Sequence, residues 1–176
     1  MDLIDLMKEK AFLGQEFLTW VWFQSEVNSS LLEIKGYGPT EIWFQDRLTL
    51  ESGWGDAKQK VTCQGKVLDL AEAKTALKEG KKVSQAKIRV SSEGREWKLT
   101  VKAEGFDWSA VKAPKTLDPD EEESDELAGR LLDRVAVLSE LTKLLDTLYA
   151  QYLAIRLTPE WEGVELPRIR RWLKDD

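Results

Sequence analysis

A chain of 176 residues, 42% of them hydrophobic and 33% charged, has enough apolar side chains for one buried core and too many for a disordered protein. It contains no histidine and one cysteine, Cys63, which excludes catalysis by imidazole, an intrachain disulfide and a cysteine or histidine metal cluster. No apolar run reaches the ~18 residues of a membrane span, and the start Met1-Asp2 lacks the basic region of a signal peptide, so we expect a cytoplasmic protein.

The first predicted elements are a helix and a series of strands. In EFLTWVWFQSE, residues 16–26, apolar residues recur at helical spacing and predict an amphipathic helix with a wide apolar stripe. The following segments alternate between apolar and polar residues and are separated by turn-forming residues, which is typical of strands. These strands cover 31–35, 41–51 and 58–67, and a helix over 69–81 comes next.

Two more strands and a long helix complete the prediction. SQAKIRVSS and REWKLTVKA alternate in the same way and meet near Gly94 as a hairpin, whereas the prolines and acidic residues of 113–124 indicate a solvated linker. The expected fold class is α+β, with an antiparallel sheet of about five strands packed against an N-terminal helix and a long C-terminal helix. Residues 1–112 form the sheet domain, and 125–176, the long helix plus a C-terminal arm, pack on the same domain.

The two tryptophans of the first helix cannot both face the same side. Trp20 and Trp22 are two positions apart, which is about 200° around a helix. If Trp22 joins the core, Trp20 and Phe23 need another apolar partner, and we expect the long C-terminal helix to supply it.

Charge is distributed unevenly along the chain. The net charge is −6 over residues 1–57, +7 over 58–115 and −7 over 116–176. A basic segment inside an acidic protein favours an anionic partner, although the basic segment could also be neutralised by the acidic ends of the same chain.

The strands of the basic segment place their positive charges on one face. Because successive side chains of a strand point to opposite faces, Lys87 and Arg89 lie on one face and Ile88 on the other. In the same way, Lys98 lies on the face opposite to that of Leu99. If the strands share one sheet, its solvent face carries Lys58, Lys60, Lys66, Lys87, Arg89, Lys98 and Lys102. Such a face suits a phosphate backbone and predicts binding that depends on salt and is largely independent of sequence. The alternative is that these lysines serve solubility.

The C-terminal helix and the tail beyond it bear on assembly. Leu131, Val135 and Leu138 begin one apolar stripe of the helix, and Val137, Leu141 and Leu144 begin a second. These stripes are either buried within the chain or shared with a second subunit. The tail, with Arg168, Arg170 and Arg171 beside Trp161 and Trp172, is either an arm for a partner or for DNA, or a short amphipathic helix that caps the fold.

The order of these patterns resembles the C-terminal half of the recombination-associated protein RdgC family. The resemblance is carried by FLGQEFLTWVWFQSE, LTLESGWG and LDLAEAKTALKEGKKVSQAKIRVSSEGREWKLTVKAEGFDWSAVKAP, followed by the acidic linker and the leucine-rich helix. It implies a non-catalytic protein associated with the nucleoid that binds duplex DNA with little sequence preference. In the family the protein assembles as a ring-shaped dimer around DNA, so the resemblance also implies a homodimer, and it implies control of recombination together with a recombination protein partner.

Two further implications concern residues and extent. The basic positions of KEGKKVSQAKIRV carry over from the family as DNA-facing; they are Lys78, Lys81, Lys82, Lys87 and Arg89. The family's N-terminal portion has no counterpart in these patterns, so the resemblance does not extend to ring closure.

Two other classes of function compete with DNA binding. Glu33, Glu41, Asp46, Glu51 and Asp56, with Lys58 and Lys60 downstream, are the residue types of a metal-dependent nuclease. A protein-interaction module or a DNA mimic could use the acidic run DPDEEESDE. We expect neither catalysis, nor a bound metal, nor a cofactor, because the carboxylates are scattered and lack a short acidic-x-Lys motif.

Overall fold

The computed structural model describes residues 3–53, 58–65, 70–114 and 124–174. Six strands and four α-helices follow one another in these segments. The elements are α1 Leu3–Val27, β1 Leu31–Ile34, β2 Gly38–Ser52, β3 Gln59–Gln64, α2 Leu70–Lys78, β4 Lys82–Ser92, β5 Arg95–Lys102, β6 Asp107–Lys112, α3 Ser124–Arg156, a π-helical turn Trp161–Glu165, and α4 Leu166–Trp172. None of these helices is long and apolar enough to cross a membrane, as judged over the described residues.

All six strands form one antiparallel sheet. The long strand β2 pairs with β1 near its start and with β3 near its end, both along the same edge, while β4, β5 and β6 follow in order along its other edge. The predicted α+β class, with its N-terminal and long C-terminal helices, is confirmed.

The strand that the sequence did not predict is β6. It lies at the edge of the sheet and pairs only with β5 among the described strands. Its residues are exposed or half-buried on both faces, and Ala110 has a positive φ of 53°. A strand without one buried face lacks the alternation on which a sequence prediction depends.

The first helix packs across one face of the sheet, which we call the core face. Phe17, Leu18 and Val21 of α1 line one small cavity together with Ile42 and Ile88 of the sheet. Trp20 contacts Tyr152 of α3, at 5.7 Å between ring centroids, as expected for a partner on the long helix. The partner of Phe23 is different from the one predicted, because its ring lies 5.6 Å from Trp172 of α4.

Three buried or half-buried glutamates hold the other helices against α1. Glu16 accepts a hydrogen bond from Arg156 Nε of α3 at 2.7 Å. Glu26 accepts one from the indole N–H of Trp172 at 2.6 Å. Glu165 of the π-helical turn accepts one from the indole N–H of Trp20 at 3.1 Å. The surroundings of α1 are therefore fixed by polar contacts as well as by apolar burial, since carboxylates taken out of water need such donors.

The C-terminal tail is packed rather than extended. Trp161, Ile169 and Trp172 are buried, and Trp172 meets Trp22 edge-to-face at 5.1 Å. Of the two interpretations of the tail, the capping helix is the one found. The predicted linker 113–124 lies largely in residues 115–123, outside the described part of the chain.

The apolar stripes of α3 are buried only over their C-terminal part. Leu141, Leu144 and Leu148 are within 1% of complete burial. Nearer the start of the helix, Leu131 is 56% exposed and Leu132 is 70% exposed. The helix therefore extends beyond the sheet with apolar side chains in solvent.

Candidate nucleic-acid interface

The face of the sheet opposite α1, which we call the outer face, carries most of the predicted binding residues. Along β4, Ala86, Ile88 and Val90 are buried on the core face, while Lys87 and Arg89 between them are partly exposed on the outer face. The same alternation in β5 places Lys98 and Lys102 there. The side chains of Lys87 and Lys98 are 40% and 41% exposed, and Lys102 is exposed.

A row of four paired residues crosses the outer face. Trp43 of β2 is directly opposite Arg89 of β4, Arg89 is opposite Lys98 of β5, and Lys98 is opposite Lys112 of β6. The guanidinium carbon of Arg89 lies 3.9 Å from the centroid of the Trp43 ring, which is a stacked cation–π contact. The row thus combines one aromatic ring with three positive charges.

Several of the basic residues are already paired with carboxylates. Lys87 Nζ lies 2.8 Å from Asp46 Oδ1, and this hydrogen bond lowers the pKa of Asp46 below its ordinary value. Glu96 lies between Lys98, at 3.2 Å, and Arg89, at 3.7 Å.

A further carboxylate, that of Glu51, pairs with lysines at the start of β3. Glu51 pairs with Lys58 at 2.7 Å and with Lys60 at 4.0 Å, and its hydrogen bond raises the pKa of Lys58. Lys102 and Lys112 are exposed and make no ion pair with the described residues. The outer face is therefore a mixed surface with an excess of positive charge, not a uniformly basic one.

Two adjoining grooves run over this surface. The larger, of about 980 Å³, extends from Trp22 and Glu26 at the end of α1 across β2 to Arg89 and Lys112. The smaller, of about 490 Å³, is lined by residues of β2, β3, β4 and β5. Both are lined by the Asp46–Lys87 pair and by Thr100. Both are open to solvent.

Not all predicted residues lie on this face. Lys78 ends α2 and Lys81 precedes β4, where it pairs with Glu79 at 2.8 Å, so these two lie outside the strands. Lys82 begins β4 opposite Glu51, at one end of the sheet. Lys66 lies outside the described residues, as does Asp56.

Trp43 and Lys112 are site residues that the sequence analysis missed. The alternation of 41–51 carries the signal for Trp43, because Ile42 beside it is buried and Trp43 must then point outward. Lys112 had no such signal, since it belongs to the unpredicted strand β6.

The carboxylates expected of a nuclease are not brought together. Glu33, Glu41, Asp46 and Glu51 are distributed along β1 and β2. Over the described segments, no group of three acidic or cysteine side chains could hold a metal ion. A nuclease site at these positions therefore gains no support from the geometry.

Comparisons with known proteins bear on the family. No protein-family model, no curated protein and no solved structure matches the chain. The RdgC resemblance consequently stays a prediction, and the case for function depends on the geometry of the outer face.

Proposed function

We propose that the protein is a non-catalytic, largely sequence-independent DNA-binding protein whose outer sheet face contacts the phosphate backbone. The observation that carries this proposal is the position of Arg89, Lys98 and Lys112 side by side on the outer face, along the larger groove. Lys87 and Lys102 lie beside this row. Lysines act on phosphates as point charges and carry no base-reading geometry, so the binding is expected to be indifferent to sequence.

The ion pairs on the face are compatible with such binding. Exposed pairs such as Lys87–Asp46 are weak because water screens them, so a phosphate can replace the carboxylate as a partner at low energetic cost. The carboxylates also limit the affinity, because each remains close to the bound phosphates. We therefore expect moderate affinity and a steep loss of binding with added salt.

The test is a fluorescence-anisotropy titration with labelled duplex and single-stranded DNA at two salt concentrations. Binding to both, with log affinity falling linearly as log salt rises, is the expected result. Degradation of the DNA that requires Mg²⁺ or Mn²⁺ would favour the nuclease. Absence of binding at low salt would contradict the proposal. The resemblance to RdgC favours the duplex and a role in recombination at the nucleoid, and the two DNA forms in the titration test that preference.

A second candidate function is protein binding through the start of α3. Leu131, Leu132, Val135 and Leu138 are each 40% exposed or more, and they lie on neighbouring turns of the helix. The occupant we propose is a second copy of the chain. With two such helices antiparallel and centred on Val135, Leu132 faces Leu138 of the other copy and Val135 faces its own counterpart. The apolar contact is then self-complementary, as a two-fold interface requires.

A further inference from the structure

The Trp43–Arg89 pair has features of a binding position for a base. Trp43 is half-buried on the outer face and lines the larger groove. From this pair we propose that the groove takes a single strand of DNA, with one base stacked on Trp43. This inference rests on the proposed function and specifies the form of DNA that the face prefers.

The guanidinium of Arg89 occupies the place that a base would take. A guanidinium is planar and stacks on aromatic rings as a base does, and it lies 3.9 Å from the Trp43 centroid. Its other contacts in the described structure are weak. Nη1 is 3.7 Å from Glu96, and the buried Nε has no hydrogen-bond partner. An arginine held so loosely can leave the ring to a base and turn its donors to the adjacent phosphate.

The distances of the other row residues from Trp43 follow from the spacing of the strands. Neighbouring strands of a sheet are about 4.8 Å apart, so Lys98 and Lys112 lie about 10 and 15 Å from Trp43. A single strand that crosses the sheet along this row meets positive charges after its stacked base. The groove volume of about 980 Å³ is at the upper end of the range for ligand sites, about 300–1,000 Å³. It therefore has room for a base beside Trp43.

A duplex cannot use the ring in this way. Its bases are already stacked on one another, whereas a single strand leaves base faces free for aromatic side chains. Duplex DNA can therefore contact the lysines through its phosphates but gains nothing from Trp43. The ring thus favours the single strand over the duplex.

The experiment compares three labelled probes at low salt, by fluorescence anisotropy. They are an oligothymidine, an abasic oligonucleotide with the same number of phosphates, and a duplex of equal length. Wild type is compared with Trp43→Ala, Trp43→Leu and Trp43→Phe, each checked for wild-type thermal unfolding. The leucine variant keeps an apolar side chain without the ring, so it serves if the alanine variant fails to fold.

The alanine and leucine variants should lose about 5- to 150-fold in affinity for oligothymidine, the range that corresponds to one base–aromatic stack. The phenylalanine variant should retain most of the affinity, and binding of the abasic and duplex probes should not change. If the alanine and leucine variants bind oligothymidine as tightly as wild type does, the stacking position is overturned but DNA binding by the lysines stands. The same conclusion follows if these variants bind all three probes more weakly by the same factor. If wild type binds none of the probes at low salt, the proposed function fails as well.

Discussion

Gly14 of α1 lies directly against the backbone of Ala103, at the end of β5. A Cβ atom added to Gly14 would overlap the carbonyl oxygen of Ala103 and would lie 3.0 Å from its carbonyl carbon. Glycine inside a helix costs about 1 kcal/mol relative to alanine, so its presence here needs a compensating reason. The close approach of the helix to the sheet provides that reason.

Gly14→Ala is therefore expected to destabilise the protein, by about 1–3 kcal/mol as in overpacked cores. Gly129 of α3 is the matched control, because an added Cβ there meets nothing within 4 Å. Gly129→Ala should raise the free energy of unfolding by up to about 1 kcal/mol. Urea denaturation of both variants measures the two effects, and a Gly14→Ala protein as stable as wild type would show that the contact can relax.

Strands with one buried and one exposed face could be predicted from the sequence, and a strand without a buried face could not. In β4 the alternation of Ala86, Ile88 and Val90 with Lys87 and Arg89 determines the outer face from sequence alone. In β6 no such alternation exists, and Lys112 was therefore missed.

Contacts between residues far apart in the sequence could not be predicted either. The Lys87–Asp46 pair and the stacking of Arg89 on Trp43 depend on the register between β2 and β4, which shifts between Phe44 and Leu48. A shift of register arises from tertiary packing, and no local pattern of residues encodes it. The face could be predicted, but its pairing could not.

The buried carboxylate of Glu165 should hold the C-terminal tail on α1. It is 4% exposed and accepts hydrogen bonds from Trp20 at 3.1 Å and from Gln24 at 2.9 Å. Glu165→Ala leaves the buried indole N–H without an acceptor and should lower the free energy of unfolding by about 1–3 kcal/mol. Glu162→Ala, an exposed residue of the same turn, should change it by less than about 0.5 kcal/mol. Equal stability of the two variants in urea denaturation would contradict this role.

Tyr152 should make the fold sensitive to alkali. Burial raises the pKa of Tyr152 above its ordinary value, and the carboxylate of Glu16 acts in the same direction. Because the unfolded state releases the phenolic proton at about pH 10, stability is fully present below that pH and falls above it. The fall due to this group is up to about 1.4 kcal/mol per pH unit.

Tyr152→Phe removes the titrating group and also the hydroxyl that donates to Glu16 at 3.3 Å. The variant should be somewhat less stable at neutral pH, yet lose less stability than wild type between about pH 9 and about pH 11. Urea denaturation at the two pH values measures the difference. The same loss in both proteins would mean that Tyr152 does not govern the alkaline transition.

The exposed stripe at the start of α3 should cause self-association. Leu132→Glu combined with Val135→Glu places charges at the centre of the proposed two-fold contact, where like charges oppose one another. Sedimentation equilibrium should detect dimers of wild type and only monomers of this variant. Leu157→Glu is the control, since Leu157 is 78% exposed and lies outside the stripe. If wild type is monomeric at all concentrations tested, the proposed dimer is contradicted.

The last prediction separates the outer face from the tail as the source of DNA binding. Lys102→Glu with Lys112→Glu reverses two exposed charges that make no ion pair with described residues. The substitution at Lys102 places a carboxylate opposite Asp107 of β6, which costs up to about 1 kcal/mol, so the thermal unfolding of the variant is measured beside that of wild type. This pair is preferable to Lys87 and Arg89, because Lys87 is bonded to Asp46 and the loss of Arg89 would uncover Trp43. The matched control is Arg170→Glu with Arg171→Glu, two exposed residues of α4. Arg168 is left unchanged because it pairs with the buried Glu165.

Both variants change the net charge of the protein equally, so a difference between them reports position rather than total charge. The sheet variant should weaken binding to duplex and single strand alike, and the slope of log affinity against log salt should fall by about 0.9 for each duplex phosphate that the variant no longer neutralises. The tail variant should bind with a wild-type slope. If the tail variant no longer binds DNA while the sheet variant still does, the binding surface is α4, and the lysines of the outer face serve solubility.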